Sequence, residues 1–246
     1  MRKVLTFDDV ALVPMFNNIE SRTQPNLSTR LTKNVKMKIP ILAANMDSVI
    51  GKDLAKVLKR RGSVPILHRF YDKWDDVNDL VTSLRGKCFV SIGVNDSLFD
   101  LTDFDTPPLG FVLDIAHGHS KAAMEVIQTL KRDSPLSEQF RDGEMSIIAG
   151  NVCTQRAYVD LVAAGADAVK VGVGPGAACT TRQVTGFGVS QFSAIQDCAE
   201  AVMPYKIPII ADGGIRTSGD IVKALAAGAD SVRIVTGKLQ TLLLAV

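Results

Sequence analysis

Eight short apolar runs recur along the chain, separated by longer stretches in which apolar residues return at helical spacing. The runs are IPILAANM from Ile39, SVPILHRF from Ser63, CFVSIGV from Cys88, LGFVLDIA from Leu109, MSIIAGNV from Met145, ADAVKVGVG from Ala166, IPIIADGG from Ile207 and DSVRIV from Asp230. They are nearly continuous in apolar residues rather than alternating, which predicts strands buried on both faces, as in a parallel sheet. Between them, Leu54, Val57 and Leu58 fall on one face of GKDLAKVLKRRG, and Ala123, Val126, Ile127 and Leu130 on one face of SKAAMEVIQTLKR. TQRAYVDLVAAGA and SGDIVKALAAGA each open on a capping-type residue and close on glycine. LVAAGADAVKVG (161–172) and ALAAGADSVRIV (224–235) echo one another as helix end, glycine turn and strand, so the repeating unit is βα.

Eight strands, each followed by a helix, predict an α/β fold of the (β/α)8 TIM-barrel type in a single domain. A doubly wound open sheet fits the same alternation, but eight units without an early G-x-G-x-x-G favour the barrel. Residues 1–38 precede the first strand, and their polar stretch SRTQPNLSTRLTKNVKMK predicts an irregular N-terminal cover, leaving 39–246 as the barrel. DSPLSEQFRDGE, after Arg132, reads as a polar loop.

Composition narrows the partners rather than the fold. Of 246 residues 46% are hydrophobic and 22% charged, enough apolar material for a large core, and a net charge of +2 favours neither a nucleic-acid nor a membrane surface. Asp8 and Asp9 interrupt the N-terminal apolar run, which excludes a signal-peptide core, and no run approaches the roughly 20 residues of a membrane span. Cys88, Cys153, Cys179 and Cys198 lie far apart with no C-x-x-C pair, which argues against zinc and disulfides and for a cytoplasmic chain with reduced thiols.

The chemistry is expected at the C-terminal strand ends. There the chain reads AANMDSV, His68-Arg69, LDIAHGHS, AGNV, GVGPGAACTTR and ADGGIRTSGD. In the last of these, Asp212 can accept from both hydroxyls of a ribose, and the Gly213 and Gly214 amides can donate to a phosphate. A tight βα turn without a ligand is the alternative. In KVGVGPGAACTTR, Gly172, Gly174 and Gly176 permit backbone shapes that other residues resist, and inward carbonyls in such a loop can hold a monovalent cation. Cys179 stands at its tip beside Thr180, Thr181 and Arg182. A thiol near a basic residue and backbone amides can act as a nucleophile, against the alternative of an inert buried cysteine. The other three cysteines read as core.

Taken in order, LTFDDVALVP, PILAANMDSV, LDIAHGHS, IIAGNV, KVGVGPGAACTTR, TGFGVSQ and ADGGIRTSGDIVKALAAGAD resemble the IMP dehydrogenase/GMP reductase family over nearly the whole chain. The resemblance implies a (β/α)8 barrel in which Cys179 attacks C2 of a purine nucleoside monophosphate. In a reductase the thiolate displaces ammonia from GMP, and NADPH delivers hydride to release IMP. In a dehydrogenase hydride leaves IMP for NAD, and water releases XMP. The resemblance further places Asp212 on the ribose, Gly213 and Gly214 near the phosphate, and Met46 and Asn151 in the purine pocket. It places Asp114 by the cofactor or the reacting centre, Thr181 where it helps activate water or ammonia, and potassium on the backbone carbonyls of Gly174, Gly176 and Cys179. A homotetramer is usual in the family.

About 18 residues separate LHRF from CFVSIGV, too few for the paired regulatory (CBS) insert of most dehydrogenases, and AANMD, HRF and LDIAHGHS lean toward reductases. STRLTKNV and CTTRQVTG fit dehydrogenases equally. Three departures stand against the family pattern. Ala177 replaces a phosphate-binding serine. Val235-Thr236 replaces a phosphate-binding Gly-Ser pair. Nothing corresponds to a C-terminal flap with further catalytic residues, so the barrel is expected to be C-terminally short, closed at best by a helix over GKLQTLLLAV. A truncated or inactive nucleotide-binding barrel is the alternative of another class.

Overall fold

The computed structural model describes residues 3–98, 100–176 and 179–235. Ala177, Ala178, Thr236 and the expected closing helix lie outside the described residues. A two-stranded antiparallel hairpin, β1 (Thr29–Arg30) and β2 (Lys36–Met37), precedes the main sheet. The chain then runs β3 (Ile41–Ala43), α1 (Lys52–Arg60), β4 (Ile66–Leu67), α2 (Trp74–Ser83), β5 (Phe89–Ile92), β6 (Gly110–Asp114), α3 (Lys121–Arg132), α4 (Ser137–Arg141) and β7 (Ser146–Val152). It continues through α5 (Gln155–Ala164), β8 (Ala168–Val171), α6 (Thr181–Thr185), α7 (Gln191–Ala199), α8 (Val202–Tyr205), β9 (Ile209–Asp212), α9 (Ser218–Ala226) and β10 (Ser231–Ile234).

All eight apolar runs form strands, and their order decides between barrel and open sheet. From β4 to β10 each strand pairs in parallel with the next in sequence, and β10 then pairs with β3 through Val232↔Ile41, Arg233↔Leu42 and Ile234↔Ala43. The first strand therefore sits beside the last. An open doubly wound sheet does not do this, because its order reverses at a switch point. Only the β3–β4 seam lacks a ladder, so the sheet is a barrel closed but for one seam.

Three local expectations differ from the structure, the first being that the polar stretch before the barrel, expected to be irregular, contains the β1–β2 hairpin. Between β5 and β6 the described residues form only a 3-10 turn (Asp100–Thr102) instead of a helix. Residues 93–109 place Val94, Leu98, Leu101 and Phe104 against the core, but Pro107 and Pro108 lack an amide hydrogen and disfavour helix in the residues ahead of them. In the polar stretch after Arg132, α4 forms because Leu136 and Phe140 bury against the core.

Helix boundaries follow the capping chemistry. The Oγ of Ser120, Thr154 and Thr217 accept from the amides of Ala123, Ala157 and Asp220, and Thr217 and Asp220 complete a capping box one residue earlier than the sequence placed that helix start. Thr154 and Thr217 open the two helices of the echoed units, so the repeat is structural as well.

Strand residues alternate between two buried clusters. Val90, Phe111, Leu113, Ile147, Val169, Ile209 and Val232 join helix residues such as Leu58, Ile127 and Leu161 in the outer layer. Leu42, Ile66, Phe89, Val112, Ile148, Ala168 and Ile210 form the lumen, together with Leu31 and Met37 from the hairpin region. Two residues further along these strands the lumen turns polar, with Ser91, Asp114, Lys170 and Asp212 following Phe89, Val112, Ala168 and Ile210. The lumen is thus apolar at one end and charged at the C-terminal strand ends.

Candidate active site

The charged layer is a buried network. Lys170 has no exposed surface, and its Nζ pairs with Asp114 Oδ1 and lies 3.2 Å from Asp212 Oδ2. Arg233 Nη1 donates to Asp212 Oδ1 at 2.5 Å. Asn45 Nδ2 donates to Asp114 Oδ2 at 2.9 Å and to Ser91 Oγ at 2.7 Å. A lone buried charge costs several kcal/mol, so two cations and two carboxylates meeting here is what makes the layer tolerable. Burial by itself would raise the Asp212 carboxyl. The Arg233 and Lys170 charges, with hydrogen bonds from Asn151 and Arg233, outweigh burial and hold it well below the usual carboxylate range. Asp114 is likewise lowered against burial, chiefly by Lys170.

Backbone irregularity brings Asn151 into this layer. The β7–β8 register shifts between Gly150 and Val152, and Asn151 Nδ2 donates to the Gly172 carbonyl and to Asp212 Oδ2, each at 2.8 Å. Gly172 has φ +150°, and a Cβ there would lie 1.9 Å from the Asp212 carbonyl oxygen, so the chain needs glycine at this approach. Gln191 Nε2 fixes the same corner by donating to the Val171 carbonyl at 2.8 Å and the Asp212 carbonyl at 3.3 Å.

Above the network lies a cavity of about 230 Å³ lined by Asp114, Ile115, Ala116, Asn151, Gly172, Val173, Gly174, Cys179, Thr181, Asp212 and Arg233. Cys179 is half-buried, and its Sγ donates to Thr181 Oγ1 at 3.1 Å. The other thiols are not set up for chemistry. Burial pushes Cys88 and Cys198 up to about 12, and raises Cys153 as well.

The structure therefore gathers Cys179, Thr181, Asn151, Asp212, Asp114 and Gly174 around one cavity. Gly176, Gly213 and Gly214 sit just outside that lining. The Gly176 carbonyl accepts from the Cys179 amide at 3.1 Å, and Gly213 and Gly214 back onto Pro175 and Gly176. Met46 lies in the turn after β3, its carbonyl accepting from Val49 and Ile50, and does not line the cavity. His68 and Arg69 open instead on a separate cavity of about 210 Å³ with Tyr71 and Trp74, where the His68 ring stacks on Tyr71 at 3.9 Å.

Sequence reasoning missed Lys170 and Arg233. The available signal was a single cation inside each of two otherwise apolar runs, since a buried lysine or arginine must find anionic partners. As for ions, among the described residues no group of three His, Cys, Asp or Glu could hold a metal. The carbonyls of Gly174, Gly176 and Cys179 are neutral oxygen donors, suited in kind to a weakly held monovalent cation rather than to a transition metal.

The family description "IMP dehydrogenase / GMP reductase domain" matches residues 4–85 and 109–240. A GMP reductase of Streptococcus agalactiae is 38% identical over an aligned length of 238, covering 94% of this chain and 68% of the relative. A GMP reductase of Bacillus subtilis is 39% identical over 243, covering 95% and 70%. An inosine-5'-monophosphate dehydrogenase of Cryptosporidium parvum is 37% identical over 277, covering 94% and 67%.

Proposed function

The chain belongs to the IMP dehydrogenase / GMP reductase family, and from that premise we propose that it carries out the NADPH-dependent reductive deamination of GMP to IMP and ammonia. The observation that carries this reading is that Cys179, with Thr181 at 3.1 Å, shares one cavity with Asn151 and Asp212. Among the described residues it is the one thiol placed over a polar, charged pocket.

In this reading the Cys179 thiolate adds to C2 of the guanine, the exocyclic amine takes a proton, and the C2–N bond breaks to release ammonia. A hydride then joins C2, and the C–S bond breaks to return the thiolate and IMP. Splitting one substitution into two steps lowers each barrier. NADPH, when bound, supplies that hydride. Asp114, fixed by Lys170 and Asn45, lines the cavity with Ile115, Ala116 and Cys179, where a nicotinamide would sit. The Thr181 hydroxyl, already the partner of the thiol, handles the proton at the departing amine. Asp212 takes the ribose hydroxyls, the Gly213 and Gly214 amides face the phosphate, and Asn151 borders the purine. The Gly174, Gly176 and Cys179 carbonyls are the groups that would hold a potassium ion, which would stiffen the loop carrying the thiol.

The direction is favoured by alignment length. For a similar share of this chain the reductases align over 238 and 243 residues, whereas the dehydrogenase needs 277, more than the 246 present here. The dehydrogenase thus carries material with no counterpart in this chain. We also read residues 1–38 as a cover, residues 39–246 as the catalytic barrel, and the protein as cytoplasmic. Among the described residues no helix is long and apolar enough to cross a membrane. A homotetramer fits the exposed Val13, Met15 and Phe16, the last 97% exposed, which assembly would cover.

The test is a paired assay of GMP with NADPH and of IMP with NAD, for wild type and Cys179→Ala. Turnover of the first pair alone, lost in the variant, supports the reading. Turnover of only the second pair gives the dehydrogenase. Protection of Cys179 from alkylation by GMP without either turnover gives a binding-only barrel.

A further inference from the structure

Asp212 already has three donors on its carboxylate. Its Oδ2 accepts from Asn151 at 2.8 Å and faces Lys170 at 3.2 Å, while Oδ1 accepts from Arg233 at 2.5 Å. A carboxylate offers about four lone-pair positions, and a ribose diol would ask for two more beyond these three. Asn151 and Lys170 are anchored by other partners as well, to the Gly172 carbonyl and Asp114. Arg233 is the donor free to yield. It lines the same cavity as Cys179, is 9% exposed, and its buried Nε has no hydrogen-bond partner.

A guanidinium that leaves Asp212 in this enclosed site needs another anion. A nucleoside monophosphate brings one, and the planar fork of arginine matches phosphate oxygens.

We propose that Arg233 is a specificity-determining residue that holds the ribose-binding carboxylate in the empty pocket and passes to the 5′-phosphate when a nucleoside monophosphate enters. This rests on the nucleotide reading above. A nucleoside must pull Arg233 off Asp212 without compensation, whereas the monophosphate supplies the replacement anion.

The test is the dissociation constant of GMP and of guanosine, by calorimetry, for wild type, Arg233→Gln and Arg233→Lys. Loss of a charge-assisted phosphate contact should narrow the preference for GMP over guanosine by about 30-fold in Arg233→Gln, with guanosine binding tighter and GMP weaker than in wild type. Arg233→Lys keeps the cation but loses the fork, and should narrow the preference by about threefold to tenfold. It decides the matter should Arg233→Gln fail to fold. Parallel shifts for both ligands, or an unchanged preference in either folded variant, overturn the role of Arg233 alone. Wild type that binds neither GMP nor guanosine overturns the nucleotide reading itself and this inference with it.

Discussion

The side-chain amide of Asn151 donates to the Asp212 carboxylate at 2.8 Å, joining β7 to β9 across the intervening β8. The Lys170–Asp114 pair does the same for β8 and β6 across β7. Strands that share no ladder are thus tied through the lumen, and the ties lie directly beneath the cavity that holds Cys179. Stability and site geometry depend here on the same four charges.

Lys170→Met should cost about 3–5 kcal/mol of unfolding free energy, because it strands the Asp114 carboxylate and leaves Asp212 with Arg233 alone as its cation. Combining it with Asp114→Asn should recover part of that loss. A urea-unfolding double-mutant cycle measures the coupling, and strictly additive losses would show that the pair is not energetically linked.

Acid should weaken the same network. Asp114 and Asp212 have carboxyls lowered in the fold. The stability they contribute is present in full above the ordinary carboxylate value near 4 and is lost as pH falls toward their lowered values. The stability gap between wild type and Asp114→Asn should therefore stay level from about pH 5 to 8 and shrink below about pH 4. Urea midpoints across that range read it directly, and a gap that grows on acidification contradicts the lowered values.

Gly172→Ala should fail to reach the native fold or lose several kcal/mol, since its Cβ would fall 1.9 Å from the Asp212 carbonyl oxygen at φ +150°. Gly186→Ala, with φ +75° but nothing within 4 Å, should lose only about 1 kcal/mol. Thermal melts of the two variants separate steric collision from backbone strain.

Iodoacetamide at neutral pH should label Cys179 first. Cys88 and Cys198, buried and raised to about 12, should remain unlabelled until the protein unfolds. Peptide mapping by mass spectrometry checks the order. Rapid labelling of Cys88 in folded protein would contradict its burial.

Thr181→Val should reduce turnover by about tenfold to a hundredfold, with little change in stability, because the 3.1 Å thiol–hydroxyl contact lies at a partly open pocket. Steady-state kinetics with GMP and NADPH measure it. Unchanged turnover would remove Thr181 from the chemistry.

Much of this molecule was local enough to read from the chain. Each of the eight apolar runs became a strand because a run apolar on both faces can bury both only in a covered sheet. Thr154 began its helix as expected because its side chain satisfies an amide within its own first turn, whereas the cap of α9 fell on Thr217, one residue before the Ser218 expected. The glycines around Cys179 marked an unusual loop for the same local reason. Where the pattern failed, in residues 93–109 and at α4, the outcome turned on prolines and on two apolar residues finding a distant core.

Hydrophobic period and capping act over a few residues, so the strands, most helices, the barrel's repeating unit and the half-buried nucleophile candidate were legible along the chain. Which strand-end residues share a cavity depended on the folded barrel. Closure of β10 onto β3 aims Arg233 inward at Asp212, and contacts across β8 and β7 join residues 61 and 56 positions apart. It also left Met46 and the Gly213-Gly214 pair outside the cavity lining. Such distances are set by how a curved sheet closes on itself, and no local period encodes that.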